Sequence, residues 1–346
     1  MLPAGNTAAG PPRGRLLKFL FLLWVAGIAM RMTLLAVPPI IPLVHEELQI
    51  SETQIGLLVG LPLAVFAAAA IPGSLLIARI GAKLAVLLGM AITALAGAAR
   101  GAAPDVCTLY AAAIGSGFGI AIMQPGMPTL VREWLPRRIA FGTIAYSNGM
   151  MIGAILPPIL TFPFVLPLVG GSWRIDLAAW GLPAILIPAV FFLVSPRRRD
   201  HSFEESAATG RLWWPDWKNP LIWFLGLAFG SNNSPFFAAN AFLGDYLVNK
   251  GETSLLGPAL GSLNGAQILA LPILLLLAGR LQRRAWPFLL FGPIMLGAFV
   301  GLIFLRSALG IVLCAGLVGL STAMTMTAIL ALPPLLAAPG DVPRTA

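Results

Sequence analysis

The chain has 346 residues, of which 58% are hydrophobic and 10% charged, with a mean hydropathy of +0.89. Water-soluble domains carry roughly 45–50% apolar and about 25% charged residues, so 22 basic and 13 acidic side chains are too few to coat a water-facing surface of this size. That argues against a soluble enzyme, a nucleic-acid binder and a disordered chain. The net charge of +9 does not revive nucleic acid, because the basic residues sit in short clusters between apolar runs.

About 20 apolar residues carry a helix across a bilayer. Ten such runs can be marked, near 20–43, 54–78, 83–103, 107–131, 141–165, 174–194, 221–247, 256–279, 286–305 and 308–336. They are apolar all round, whereas a barrel strand alternates apolar and polar positions. The reading is therefore an all-α polytopic membrane protein of about ten transmembrane helices. The first run follows Arg13, Arg15 and Lys18 and mimics a secretion signal, but it continues past Arg31 to about Leu43, so it is read as a retained helix.

Arg31 lies near the middle of that first span. An arginine at a helix centre costs roughly 2.5 to 3.5 kcal/mol on insertion scales, which several leucines at about −0.5 kcal/mol each offset. Two explanations are open: an anion ligand, since a guanidinium stays charged and offers a planar fork of donors, or a structural arginine paired with helix-end carbonyls or a polar neighbour. Further along, Gln124 lies in the fourth span, before Pro125-Gly126 and Pro128. Tyr146, Ser147 and Asn148 lie in the fifth.

Ser195–Lys218 is the longest polar stretch between spans, with Arg197, Arg198 and Arg199 and then Trp213, Trp214 and Trp217. It divides the chain into an N-terminal six-helix bundle (1–195), a cytoplasmic linker (196–218) and a four-helix segment (219–346). The seventh span contains Ser231-Asn232-Asn233-Ser234-Pro235 and Asn240. A helix interruption is expected there, because exposed backbone groups at membrane depth are tolerated only within protein or beside water. Asn264 and Gln267 lie in the eighth span, and Ser321, Thr322, Thr325 and Thr327 in the tenth. Such amides and hydroxyls either bind a ligand or tie helices together.

Glycines four apart recur at Gly115/Gly119, Gly149/Gly153, Gly226/Gly230, Gly257/Gly261/Gly265 and Gly297/Gly301, which predicts close helix packing. Cys107 and Cys314 are read as free thiols in or beside apolar runs. The two histidines, His45 and His201, fall in or beside loops, and no metal-ligand, phosphate-binding or nucleophile motif accompanies them. No enzyme chemistry, metal or organic cofactor is implied. With the N-terminus inside and the loops alternating, 17 basic residues fall on the inner side and four on the outer, with Arg31 in a span. That asymmetry predicts a cytoplasmic-membrane protein whose N-terminus and central loop face the cytoplasm.

Six spans, a basic central loop and a second bundle resemble the plan of the major facilitator superfamily. Ser74-Leu75-Leu76-Ile77-Ala78-Arg79-Ile80-Gly81-Ala82-Lys83 is similar to that family's signature loop at Arg79, Gly81 and Lys83, with Ala78 at the usual acidic position. Gly27–Arg31, Arg100, Gly117–Pro128, Trp173 and Ala178–Ala184 look closer to one branch, the cyanate and nitroimidazole transporters. The resemblance implies a two-bundle fold working by alternating access, with the first, fourth, seventh and tenth helices around a central cavity. It makes Arg31, Gln124, Asn232 and Asn233 candidate substrate ligands, to which their depth adds Asn148 and Gln267, and it makes Arg79, Gly81 and Lys83 a gating loop. A small solute, an anion such as cyanate, is the expected substrate. Export of a neutral heterocycle is the alternative, and a monomer is the expected state.

The family plan has twelve spans and this chain about ten. Pro128, Arg138 and Ala140 are echoed at a constant offset by Pro334, Arg344 and Ala346. In the first half that segment leads into another span, so the expectation is a truncated product, or a sequence lacking its last two helices (six plus four in place of six plus six). A non-transporting remnant is a further alternative.

Overall fold

The computed structural model describes residues 13–136, 138–195, 218–270, 272–273 and 286–330. The described residues form helices joined by short turns. The first apolar run becomes two helices, α1 (Arg13–Leu35) and α2 (Val37–Leu48), which together make one span from Gly14 to Leu48. The break at Ala36 has a local cause. Pro38 and Pro39 have no N–H to offer the carbonyls of Leu34 and Leu35, while Ala36 still donates to Met32 at 3.0 Å. Gln49, at φ +49°, turns the chain out of α2.

Ser51 opens α3 (Glu52–Ile80) with a capping box: its Oγ accepts from the Gln54 N–H, and its own N–H donates to Gln54 Oε1 at 2.7 Å. Gly81, at φ +83°, makes the sharp turn into α4 (Ala82–Gly101). Asp105 caps α5 (Val106–Trp134) by accepting from the Thr108 N–H at 2.8 Å, and that bond holds its carboxyl below the usual carboxylate range. The next helix, α6 (Ile139–Leu160), carries Pro157 and Pro158 in its last turn and relaxes into a π-helical turn at Thr161–Val165. Then follow α7 (Trp173–Val194), α8 (Pro220–Asn249), α9 (Leu256–Gly265), α10 (Trp286–Phe304) and α11 (Ala308–Leu330).

Among the described residues, eight segments are long and apolar enough to cross a membrane, and they match the first six and the last two runs marked in the sequence. The seventh run is a 30-residue helix, but its Ser-Asn-Asn-Ser stretch dilutes its hydropathy. The eighth is described only as far as Ile273. The interruption expected at Ser231–Pro235 is corrected: α8 is continuous through Pro235. One missing N–H leaves only the Ser231 carbonyl short of a helical partner, and membrane helices absorb such a loss. Among the described residues, spans are instead interrupted at Ala36 and at Thr161–Val165, beside paired prolines, and at Ala266 in the eighth run.

Small residues set the closest packing. Gly27 of α1 and Gly149 and Gly153 of α6 lie where a Cβ would strike backbone of the opposite helix, so these two helices touch along their length. Gly117 packs on Pro62 (α5 on α3), Gly119 on Gly89 and Thr93 (α5 on α4), and Gly181 on Ala98 (α7 on α4). Farther along the chain, α11 packs on α8, α9 and α10. The glycine expectation fails at Gly226, Gly230, Gly265 and Gly297, where nothing lies within 4 Å of the Cβ position. Large apolar side chains such as Leu168, Leu193, Leu227, Leu289 and Phe304 point outward. A surface of that kind is stable against lipid tails and is an aggregation hazard in water.

Helices of the two stretches also meet. α8 lies on α2 and α3, and α9 lies on α6. These contacts run toward the end of the molecule that holds Gln49: Gly244 on Pro42, Gly56 on Phe242, Gly257 on Phe162 and Gly261 on Ile159.

Candidate functional site

Arg31 stands at the midpoint of Gly14–Leu48. Its neighbours Met30 and Met32 are buried in two different apolar clusters, Met30 with Met90, Met123 and Met127, and Met32 with Val37, Ala94 and Trp180. Arg31 itself is half-buried. Among the described residues it makes no hydrogen bond and no ion pair. Gln124, on α5, is exposed and follows Met123 of the same cluster as Met30. Gln267, just beyond α9, is half-buried. Neither glutamine has a hydrogen-bond partner among the described residues.

The three asparagines are placed differently. Asn148 accepts from Trp24 Nε1 at 2.9 Å and so ties α6 to α1, two turns from Arg31. Asn232 is buried, donates to the Thr322 carbonyl at 3.2 Å and accepts from the Thr325 hydroxyl, which ties α8 to α11. Asn233 donates to the Phe229 carbonyl at 2.9 Å and lies 3.5 Å from Met326 sulfur. A second amide link joins α9 to α8, with Asn264 donating to Asn240 Oδ1 at 2.9 Å. Thr322, Thr325 and Thr327 each bond a carbonyl one turn back in their own helix.

At the opposite end from Gln49, Arg79 is exposed, Lys83 is half-buried, and the Gly81 N–H closes α3 by donating to Ile77 at 2.8 Å. These three residues form the α3–α4 turn.

Two buried charges were not legible in the sequence. Arg100, near the end of α4, is only 1% exposed, and its Nη1 donates to the Thr33 carbonyl of α1 at 2.8 Å. It thus plays the structural part that had been one of the two explanations for Arg31, and it does so beside the α1–α2 break. A basic residue in a helix's last turn is ordinarily an exposed partner of the helix dipole, and that ordinary pattern hides its burial. Asp176, in the first turn of α7, is fully buried, and its carboxylate oxygens lack a hydrogen-bond partner among the described residues. A small gap between α1, α2, α3 and α8 is lined by Leu34, Val37, Leu58, Phe237 and Asn240, with Arg100 on its wall.

Comparison with known proteins places this geometry. The family model described as Major Facilitator Superfamily matches residues 20–344. The cyanate transport protein CynX of Escherichia coli (strain K12) is 26% identical over 235 residues, which is 68% of this chain and 60% of that protein. A 2-nitroimidazole transporter of the same organism is 26% identical over 253 residues, 71% of this chain and 62% of that one. The matched region thus spans somewhat under two thirds of these curated relatives. Among solved structures, a bacterial homolog to the human lysosomal transporter Spinster, inward-facing and unoccupied, superposes with a TM-score of 0.73 at 17% identity, covering 97% of this chain and 78% of that one. A nucleoside transporter superposes at 0.69 and 12% identity, covering 94% and 86%.

Proposed function

Because this chain belongs to the major facilitator superfamily, we propose that it acts as a secondary active transporter for a small anion of the cyanate type, by alternating access. The observation that carries the anion is Arg31. A guanidinium at mid-span, half-buried and without a described protein partner, presents up to five N–H donors to whatever enters beside it. Gln124 and Gln267 are the neutral groups that would complete recognition. Asn148, Asn232 and Asn233 lie at similar depth, but their amides already join helices or bond their own backbone, so in this reading they position the cavity wall and lend only their remaining atoms to the solute.

The division at 196–218 gives two rocking bodies, residues 1–195 and 219–346. Seventeen inner basic residues against four outer ones put the Gly81 end in the cytoplasm. The helix contacts near Gln49 then close the outer mouth, which makes this conformation inward-facing. Arg79, Gly81 and Lys83 form the turn that adjusts as the inner mouth opens and closes. A monomer in the cytoplasmic membrane suffices for this cycle.

The test is flux of labelled cyanate into proteoliposomes holding the full chain. Wild type is expected to show saturable uptake, Arg31→Lys reduced uptake, and Arg31→Gln a loss of at least about tenfold, the equivalent of one charge-assisted hydrogen bond. Equal uptake by wild type and Arg31→Gln would overturn the anion site. The relative that is a 2-nitroimidazole transporter favours a second reading, movement of a neutral heterocycle. That flux would survive Arg31→Gln.

A further inference from the structure

We propose that His45, Glu52 and Asp245 form a binding site for a divalent transition-metal ion, best suited to zinc, which staples α2 and α3 to α8 at the Gln49 end. One ligand atom from each residue lies within 4.8 Å of the other two. His45 Nδ1 and Asp245 Oδ2 are 2.6 Å apart, joining residues 200 positions distant in the chain. Imidazole nitrogen with carboxylate oxygen is a donor set that zinc accepts, and three protein ligands leave a fourth position for water. Tetrahedral bonds of about 2.0–2.1 Å put ligand atoms about 3.3 Å apart, so His45 and Asp245 need to part by less than 1 Å and Glu52 to swing inward.

The backbone builds this site. Gln49 in the left-handed region folds α3 back on α2, which returns Glu52 to the level of His45. Gly244 packs on Pro42, where a Cβ would lie 3.3 Å from the ring, so α8 approaches α2 closely enough for Asp245 to reach across. Asp245 is 7% exposed at its side chain, His45 33%, and Glu52 is exposed, so the cluster opens to water on one side. Nearby cations are spent elsewhere: Arg174 pairs with Glu47, and Lys250 donates to the carbonyls of Leu302 and Ile303. Among the described residues Asp245 pairs with His45, and a divalent ion would balance the two carboxylates.

The binding experiment uses the purified full chain in nanodiscs, titrated with zinc chloride by calorimetry, with magnesium as control. One saturable zinc site and no magnesium site are expected, with affinity lowered at least about tenfold in His45→Gln and in Asp245→Asn and unchanged in Glu46→Gln. Absence of saturable zinc binding, or equal affinity in all variants, overturns the site. Glu52→Gln, at an exposed position, carries the test if a buried-side variant fails to fold. The stapling consequence rests on the transport reading: external zinc should slow solute flux in wild type and not in His45→Gln. If flux is absent altogether, transport fails while calorimetry still decides the site. If zinc binds and flux is unaffected, the staple is overturned.

Discussion

Arg100 and Arg31 are separated by their surroundings, not by their chemistry. Arg100 is 1% exposed and spends its Nη1 on the Thr33 carbonyl, near the point where Pro38 and Pro39 break the first span. A hydrogen bond from a charged group contributes about 1.5–3 kcal/mol, and truncation also leaves a void. Arg100→Ala should therefore lower stability by about 2–4 kcal/mol, read as an earlier thermal unfolding transition of detergent-solubilised protein. Arg31→Ala removes no described hydrogen bond or ion pair and should shift the transition by less than about 1 kcal/mol. Equal shifts would mean that Arg31 is also structural. At this scale the sequence showed which residues were unusual at their depth, but Arg100 read as an ordinary helix-end cation. Its burial depends on α1 lying against α4, a contact between residues 67 positions apart.

Among the helices, the α1–α6 pair shows how small residues decide packing. A Cβ at Gly149 would fall on the Trp24 carbonyl, and the adjacent Asn148 accepts from the Trp24 indole. Gly149→Ala should push the two helices apart and weaken that hydrogen bond, at a cost of about 1–3 kcal/mol, as expected for overpacking. Gly226→Ala meets open space and should be neutral or slightly stabilising. Parallel thermal melts of the two variants check the contrast, and a Gly149→Ala protein melting with wild type would sink it. The four-residue glycine spacing pointed to both positions alike. Only the partner helix distinguishes them, since a glycine is required where another backbone arrives. Pro235 teaches the same lesson. Polar residues before a proline resembled a break, yet α8 stays helical because one missing N–H is a small loss along 30 residues.

For the whole molecule, the two thiols report direction across the membrane. Cys107 is exposed at the start of α5, on the Gln49 end, whereas Cys314 is buried. With the Gly81 end in the cytoplasm, a membrane-impermeant maleimide applied to intact cells should label one thiol per chain. That label should vanish in Cys107→Ser. Labelling confined to inverted vesicles would reverse the orientation and, with it, the assignment of the closed mouth as the outer one.

Membrane insertion, the all-helical fold and the family were determined by sequence alone, because apolar runs of span length, proline and glycine positions and the motif residues are properties of contiguous chain. The tertiary structure decided what no contiguous stretch encodes. It buried Arg100 and Asp176, left Arg31 without a described partner, and set Asn232 against Thr322 and Thr325. It also brought His45 and Asp245 within 2.6 Å. The physical reason is that burial and pairing of a polar group belong to the surface that packs against it, and here that surface comes from helices tens to hundreds of residues away.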